Sequence, residues 1–267
     1  MINITKDGVR IYYEIQGEGE PLALLMGLGA HGMKWEPHLQ EYRKHFKCIV
    51  IDNRGAGRSD KPELEAYTTE MMAEDVISVL DELKIEKAHF HGISMGGAIS
   101  QMIAAKYPER VKSLVLTSTF AGVDNFFKRA LEILRDSVGV LEGATFGQLI
   151  NYMIYAPKYY ETNMADILEG EAQEDPYPMP AYAFRAQSYA CITHNALPLL
   201  KNIKAPTLVA AGDSDLFVSD QATKALVEGI QGAKLYLCKD GGHVHHWEKL
   251  DEFNQATLEF LLSNTTN

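Results

Sequence analysis

The sequence predicts an α/β fold: a mostly parallel central sheet with helices on both faces and an inserted helical lid. Apolar segments of strand length alternate with segments of helical periodicity, and such strands are typical of a parallel sheet covered on both sides. The alternation stops over residues 123–198, where four helical stretches follow one another, and then resumes. We therefore predict a core domain made of residues 1–122 and 199–267, and a lid made of residues 123–198.

Length and composition narrow the class of protein. At 267 residues the chain is long enough for one large α/β domain. It carries 36 acidic residues against 25 Lys and Arg, a net charge of −11, which argues against binding to nucleic acid or to an anionic membrane. We find no apolar signal region at the start and no apolar run that could span a bilayer. The 3 cysteines form no C-x-x-C pair, so we expect reduced thiols in a cytoplasmic protein.

Elements of the first half are predicted from apolar runs and the turns between them. Asp7-Gly8 is a hairpin-type turn pair, so the strands on either side of it are expected to pair. Thr68 or Thr69 is expected to cap a helix with an apolar stripe facing the core. The predicted strands cover residues 2–5, 9–15, 22–26, 48–51 and 88–91, and the predicted helices run from Trp35 to about Arg43 and from about 70 to 83.

The second half contains the predicted lid and the rest of the sheet. The lid is rich in aromatic residues and Met, which predicts a largely apolar pocket if the lid covers a cleft. Its predicted helices lie near 124–138, 145–155, 158–172 and 181–195. The remaining predicted strands are 112–118, 206–211 and 234–238, and the remaining helices are 219–229 and 249–262.

The central motif is the pentapeptide Gly92-Ile93-Ser94-Met95-Gly96, between a short buried strand and a helix. So sharp a turn forces its middle residue into a strained backbone, which costs roughly 1–3 kcal/mol. Glycines on both sides let the strand and the helix pack closely, which lifts Ser94 clear of the sheet. The amide of Met95 then lies at a helix N-terminus, where an anion is favoured. The alternative is an ordinary Gly-rich loop with a capping serine.

Two further loops follow predicted strands, at the edge where open α/β sheets bind ligands. The loop Gly27-Leu28-Gly29-Ala30 can bring a second amide, that of Leu28, towards the amide of Met95, and two such donors would form an oxyanion hole. A plain turn is the alternative. The Asp, Arg and Ser side chains of the 52–60 loop are expected to brace that loop through bonds to its backbone.

An acid-bearing loop and a histidine-bearing loop follow the last two strands. Asp213 and Asp215 come after the strand 206–211, and His243 comes after the strand 234–238. The chain order Ser, Asp, His is the one expected when a G-x-S-x-G turn belongs to a catalytic triad. Asp213 is expected to form the turn, and Asp124 is the alternative acid.

With these segments, the sequence resembles the α/β-hydrolase superfamily over essentially the whole chain, and most of all its small lidded esterases and enol-lactonases. The resemblance implies that Ser94 is the nucleophile, Asp215 the acid and His243 the base. It also implies an oxyanion hole made by the amides of Met95 and Leu28. Many relatives have His-Gly where this chain has Met26-Gly27, and its own His31-Gly32 lies further along.

The predicted function is hydrolysis of a carboxylic ester or lactone, with a small, largely apolar substrate as the partner and an acyl-enzyme as intermediate. We expect no cofactor and no binding to nucleic acid or membrane. The alternatives are C–C bond hydrolysis of a vinylogous diketone, perhydrolase or acyl-transfer chemistry, and a non-catalytic small-molecule receptor.

Other residues are weighed as binding or structural groups. Trp35, Tyr155 and Trp247 are the candidate substrate-binding residues, with packing of the last helix as the alternative for Trp247. His89 and His91 alternate on a strand and are expected to be core or edge residues. His245 and His246 lie beside His243, but the spacings match no zinc signature, so no metal site is predicted.

Overall fold

The central sheet of the computed structural model, which describes residues 1–265, has eight strands in the order β1-β2-β4-β3-β5-β6-β7-β8. β1 pairs with β2, and β2 with β4, in antiparallel fashion, and all other pairs are parallel. The strands are β1 Ile2–Ile4, β2 Arg10–Gln16, β3 Glu20–Leu25, β4 Phe46–Ile51, β5 Ala88–Ile93, β6 Val111–Thr117, β7 Thr207–Gly212 and β8 Lys234–Cys238.

Helices cover both faces of this sheet. Side chains alternate across each strand, so Leu22 and Leu24 of β3 pack on one face with Leu39, while Ala23 and Leu25 belong to a second core on the other face. The helices are α1 Glu36–Tyr42, α2 Thr69–Glu82, α3 Met95–Lys106, α4 Asn125–Ser137, α5 Gly143–Ile154, α6 Pro157–Glu171, α7 Ala181–Thr193, α8 Asp220–Gly229, α9 His245–Glu248 and α10 Leu250–Leu262. The predicted fold class is confirmed.

The predicted elements match the observed ones to within a few residues. Gly8 has a φ of +82° in the turn between β1 and β2, as the hairpin prediction requires. Thr68 caps α2 by accepting a hydrogen bond of 3.1 Å from the amide of Met71. Sequence reasoning missed α9 and the 3-10 turn Gly32–Trp35, because four residues are too few to show a helical period.

The helices α4 to α7 lie between β6 and β7 in the chain. The two ends of this segment meet, since Gly122 and Asn195 form a bridge and the amide of Ala196 donates to the carbonyl of Ala121. We call residues 123–198 the insertion. Its role as a lid, and the division of the chain at its ends, stay predictions.

None of the helices within residues 1–265 is both long enough and apolar enough to cross a membrane.

Candidate active site

The turn after β5 has the strained geometry that the pentapeptide predicts. Ser94 has a φ of 54° and a ψ of −117°. A β-carbon on Gly92 would lie 2.2 Å from the carbonyl oxygen of Gly96, and one on Gly96 would lie 2.2 Å from the carbonyl oxygen of Leu25. Only glycine permits so close an approach of β5, α3 and β3. The surrounding structure holds the strain in place, since the Ser94 amide donates to the Thr117 carbonyl at 2.8 Å.

The side chain of Ser94 faces a cavity and does not cap α3, since it makes no capping hydrogen bond. This argues against the alternative of a merely capping serine. The cavity has a volume of about 100 Å³, and His243 lines it together with Ser94. The turn therefore presents the hydroxyl to a space that a small molecule can enter.

The imidazole of His243 is held by Asp215. Its Nδ1 donates to Asp215 Oδ2 at 2.9 Å, and the two side chains are 10% and 2% exposed. Asp215 Oδ1 accepts from the amides of Phe217 at 2.7 Å and Val218 at 3.0 Å, which orients the carboxylate. Because a carboxylate only accepts hydrogen bonds, Nδ1 bears the hydrogen in the neutral ring, and Nε2 then has the free lone pair. His243 is thus in the tautomer that can take a proton.

Ser94 and His243 line the same cavity, but no hydrogen bond joins the Ser94 hydroxyl to the His243 ring among the described residues. In ligand-free enzymes such bonds are often long and tighten only when substrate binds. The hydroxyl of Ser118 donates to the carbonyl of His243 at 2.6 Å. It thereby fixes the backbone of residues 239–244, which we call the base loop because they include the predicted base.

The loop after β3 comes close to the serine. A β-carbon on Gly27 would lie 3.1 Å from Ser94 Cβ, and Leu28 lines the cavity. Met95 starts α3, so its amide lies at the N-terminus of a 12-residue helix. Within residues 1–265 no protein acceptor is bonded to the amide of Leu28 or of Met95. Both predicted oxyanion donors are therefore free to bind an oxygen. Met26, directly before Gly27, also lines the cavity.

Sequence reasoning missed the residue that supports this loop. Gln187 of α7 is fully buried, and its Oε1 accepts from the amide of Gly29 at 3.0 Å. Its Nε2 donates to the carbonyl of Arg54 at 2.8 Å. The insertion thus anchors residues 27–30 through one amide side chain. We call these residues the oxyanion loop, because they carry the predicted donor Leu28. Because Gln187 and Gly29 are 158 positions apart, no local pattern signals this contact.

The cavity is almost entirely apolar. Helices α4, α5 and α7 of the insertion each contribute to its walls, and the side chains include Leu131, Leu134, Ile154, Phe184 and Cys191. Burial raises the pKa of Cys191 to about 12, so this thiol stays protonated and is a poor nucleophile.

The three candidate substrate-binding residues lie in different places. Trp247 lines the cavity, and with Tyr155 it also lines an outer groove of about 390 Å³ that contains Lys34. Trp35 is fully buried against His38 and His91 and is not among the described residues that line the cavity. Its packing explains its burial without a ligand, and its predicted role in binding has no support from the geometry.

The alternative acids have structural roles. Asp124 caps α4 by accepting from the amide of Phe127 at 2.8 Å. Asp213 is exposed, and its carboxylate accepts from the Ser214 hydroxyl at 3.1 Å. Neither contacts a histidine in the described part of the chain, which leaves Asp215 as the partner of His243.

Asp52 and Ser59 brace the 52–60 loop through backbone bonds as predicted, whereas Arg54 bonds carboxylates outside the loop. Asp52 Oδ1 accepts from the amide of Gly32 at 2.6 Å, and Asp52 Oδ2 accepts from the amide of Arg58 at 2.8 Å. Arg54 pairs with Asp75 at 2.6 Å in a buried salt bridge. These side chains therefore stabilise the folded structure.

Four buried histidines form a cluster near the base loop: His38, His91, His245 and His246. His38 contacts His246 at 3.0 Å and the Asn254 side chain at 2.6 Å. Burial lowers the pKa of His38 and of His245 to about 4 and holds those of His91 and His246 well below the usual value. The described residues contain no group of three His, Cys, Asp or Glu placed to hold a metal ion.

His89 lies in the core, as expected. It is fully buried on β5 and bonds the Ser113 hydroxyl at 2.7 Å and Glu20 at 2.9 Å.

The chain is similar to known enzymes over nearly its whole length. A family model for the alpha/beta hydrolase fold matches residues 20–250. The chain is 30% identical to a putative carbamate hydrolase RutD of Azorhizobium caulinodans, covering 94% of each chain. It is 30% identical to a 2-hydroxy-6-oxo-6-phenylhexa-2,4-dienoate hydrolase of Comamonas testosteroni, covering 94% of this chain and 91% of the relative. The crystal structure of the enol-lactonase from Burkholderia xenovorans has a TM-score of 0.86 at 25% identity and covers 98% of this chain and 100% of that chain.

Proposed function

We propose that this chain, which belongs to the α/β-hydrolase fold family, is a serine hydrolase that cleaves carboxylic esters or lactones of small, largely apolar substrates through an acyl-enzyme. The observation that carries the proposal is the bond of 2.9 Å between His243 Nδ1 and Asp215 Oδ2, together with the cavity that His243 and the strained Ser94 both line. A hydroxyl, a base with a free lone pair and two free amides supply every group that acyl transfer requires.

The proposed reaction has two halves. His243 Nε2 takes the proton of the Ser94 hydroxyl while Oγ attacks the ester carbonyl, and the amides of Met95 and Leu28 bind the resulting oxyanion. When the tetrahedral intermediate collapses, His243 gives its proton to the departing alkoxide. Water then attacks the acyl-enzyme with His243 as base, and the carboxylic acid leaves as Ser94 regains its proton. Asp215 stabilises the imidazolium without being protonated.

The size of the cavity supports a small acyl group. Pockets that enclose drug-sized ligands have volumes of about 300–1,000 Å³, whereas this cavity has about 100 Å³. Since the core is close-packed, acyl methylenes beyond the available space force side chains to move, at a total cost of about 1–3 kcal/mol.

A panel of p-nitrophenyl esters and simple lactones tests the function. We expect kcat/KM for acetate or butyrate esters to exceed that for octanoate by about 10-fold to 10²-fold. The Leu134→Ala variant, which enlarges the cavity, is expected to shift the optimum to longer acyl chains. Ile133→Ala is the matched control, since Ile133 is the neighbouring residue of α4 and is 48% exposed. A preference for octanoate in the unmodified enzyme would contradict the small acyl pocket, and no hydrolysis of any ester or lactone would reject the function.

C–C bond hydrolysis is a second candidate function. It is favoured by the likeness to the Comamonas testosteroni relative, whose substrate by name is a 6-oxo dienoate. Turnover of that compound, without turnover of the esters, would support this function. A receptor without catalysis is the remaining alternative, and failure of a fluorophosphonate probe to label Ser94 would favour it.

The Gln187→Ala variant tests the anchoring of the oxyanion loop. It removes both hydrogen bonds of the side chain, so we expect kcat to fall by about 10-fold to 10²-fold. This loss is no larger than the decrease in kcat caused by removing one oxyanion donor, about 10²-fold to 10³-fold. The KM is expected to change little, because the lost contact acts on the transition state. Gln173→Ala is the control, since Gln173 is exposed in the same insertion. A folded Gln187→Ala enzyme with unchanged kcat would show that the loop needs no such support.

A further inference from the structure

One carboxylate joins the insertion to the loop that carries His243. Glu248 Oε1 accepts from the amide of Ala156 at 2.7 Å, and Glu248 Oε2 accepts from the amide of Gly242 at 2.9 Å. Ala156 lies between α5 and α6, and Gly242 directly precedes His243. One oxygen of the carboxylate thus accepts a hydrogen bond from the insertion, and the other accepts one from the loop that carries His243.

The backbones of the two segments are also in direct contact. The amide of Val244 donates to the carbonyl of Ile154 at 3.2 Å. A β-carbon on Gly242 would lie 2.4 Å from the Ala156 nitrogen, so no larger residue fits there. Ile154, His243 and Val244 all line the cavity. The junction between α5 and α6 therefore sets both one wall of the cavity and the position of the base loop.

The carboxylate is the group best suited to this junction. An ionised carboxylate is an acceptor at both oxygens, and bonds from amides to a charged group are roughly twice as strong as neutral ones. A glutamine at position 248 would turn an amide donor towards one of the two backbone donors. The Lys158–Asp240 ion pair joins the same two segments at 2.8 Å, but its side chains are 69% and 38% exposed, and such pairs contribute little.

We propose that Glu248 is a positioning residue for His243: it seats the α5–α6 junction of the insertion on the base loop, so that the imidazole is held correctly only when the insertion is in place. This inference rests on the proposed function. Glu248 touches neither the substrate nor the reacting atoms in this mechanism. Its effect passes through the Gly242 amide to the adjacent residue, and a small misplacement of a catalytic group can cost about 10²-fold in rate.

The test compares Glu248→Gln, Glu248→Asp and the control Lys158→Gln. Activity is measured with p-nitrophenyl acetate per active site titrated by a fluorophosphonate, so that a lower folded fraction does not count as a lower rate. Hydrogen exchange of the Ala156 and Gly242 amides is followed in the same proteins. We expect Glu248→Gln to lower kcat per titrated site by about 10-fold to 10²-fold and to speed exchange at both amides. Glu248→Asp should restore part of kcat, and Lys158→Gln should be unchanged.

A second variant keeps the test decisive if Glu248→Gln does not fold. Glu248→Ala removes both acceptors without turning a donor towards either backbone amide, and it should likewise lower kcat per titrated site and speed exchange at the Ala156 and Gly242 amides.

The outcomes separate this inference from the proposed function. A folded Glu248→Gln enzyme with kcat within about twofold of the parent, or with unchanged exchange at both amides, overturns the inference while the hydrolase remains. An unmodified protein that neither hydrolyses esters nor takes up the probe overturns the function. In that case exchange alone decides whether Glu248 joins the two segments: faster exchange at both amides supports the junction, and unchanged exchange rejects it.

Discussion

Ser94→Ala is expected to lower kcat for ester hydrolysis by about 10⁶-fold, since loss of the nucleophile removes the acyl-enzyme route and leaves only the binding and oxyanion contributions. The fold should persist, because the Ser94 side chain makes no capping bond and its backbone contacts do not involve the hydroxyl. Steady-state kinetics with p-nitrophenyl acetate measures the loss, and thermal unfolding confirms that the variant is native.

The control for this variant is Ser214→Ala, which removes another hydroxyl from the loop that carries Asp215. The Ser214 side chain bonds only the exposed Asp213 among the described residues, so we expect full activity and full labelling by a fluorophosphonate. Labelling should be absent in Ser94→Ala. If Ser94→Ala kept more than about a hundredth of the parent rate, the assignment of the nucleophile would be wrong.

The free energy of unfolding is expected to fall steeply below pH 6.5. His38, His194 and His245 are buried as neutral rings, and burial lowers the pKa of each to about 4. In the unfolded chain each returns to about 6.5. Below that pH the unfolded state binds protons that the folded state does not, so stability is complete above pH 6.5 and is lost as the pH falls towards 4.

The expected size of the effect follows from the same shifts. At pH 5 each such ring costs about 2 kcal/mol, so the three together cost roughly 6 kcal/mol, a large part of the 5–15 kcal/mol that typically stabilises a domain. The hydrogen bonds of the histidine cluster agree with the lowered pKa of His38. The Asn254 oxygen fixes the proton of His38 on Nδ1, and Nε2 accepts from His246. A second proton on His38 would place its Nε2–H group opposite the N–H group of His246, and neither could accept a hydrogen bond.

Denaturant unfolding at pH 8, 6.5 and 5 measures this dependence. His38→Asn is expected to reduce the proton uptake on unfolding at pH 5 by nearly one proton. A free energy of unfolding that is level between pH 8 and 5 would contradict the burial of neutral histidines.

The strands, the longer helices and the turn at Ser94 were predictable because their signals are local. Apolar runs marked β3, β4 and β7, and the glycines around Ser94 marked a turn where a β-carbon cannot fit. The chain order of Ser94, Asp215 and His243 also follows from reading motifs at strand ends, because parallel strands bring their carboxyl ends to one edge of the sheet. In each case the deciding residues are neighbours along the chain.

By itself, the sequence determined which chemical groups stand at the ends of which strands. Only the tertiary structure decided what surrounds them: Gln187 under the oxyanion loop, Glu248 between the insertion and the base loop, and His38 beside Asn254. These pairs are separated by up to 216 residues, and each contact depends on how helices pack across the sheet. Packing is set by the shape and volume of many side chains together, so no short pattern can signal it. For the same reason the volume of the cavity, and with it the expected limit on acyl-chain length, became visible only in three dimensions.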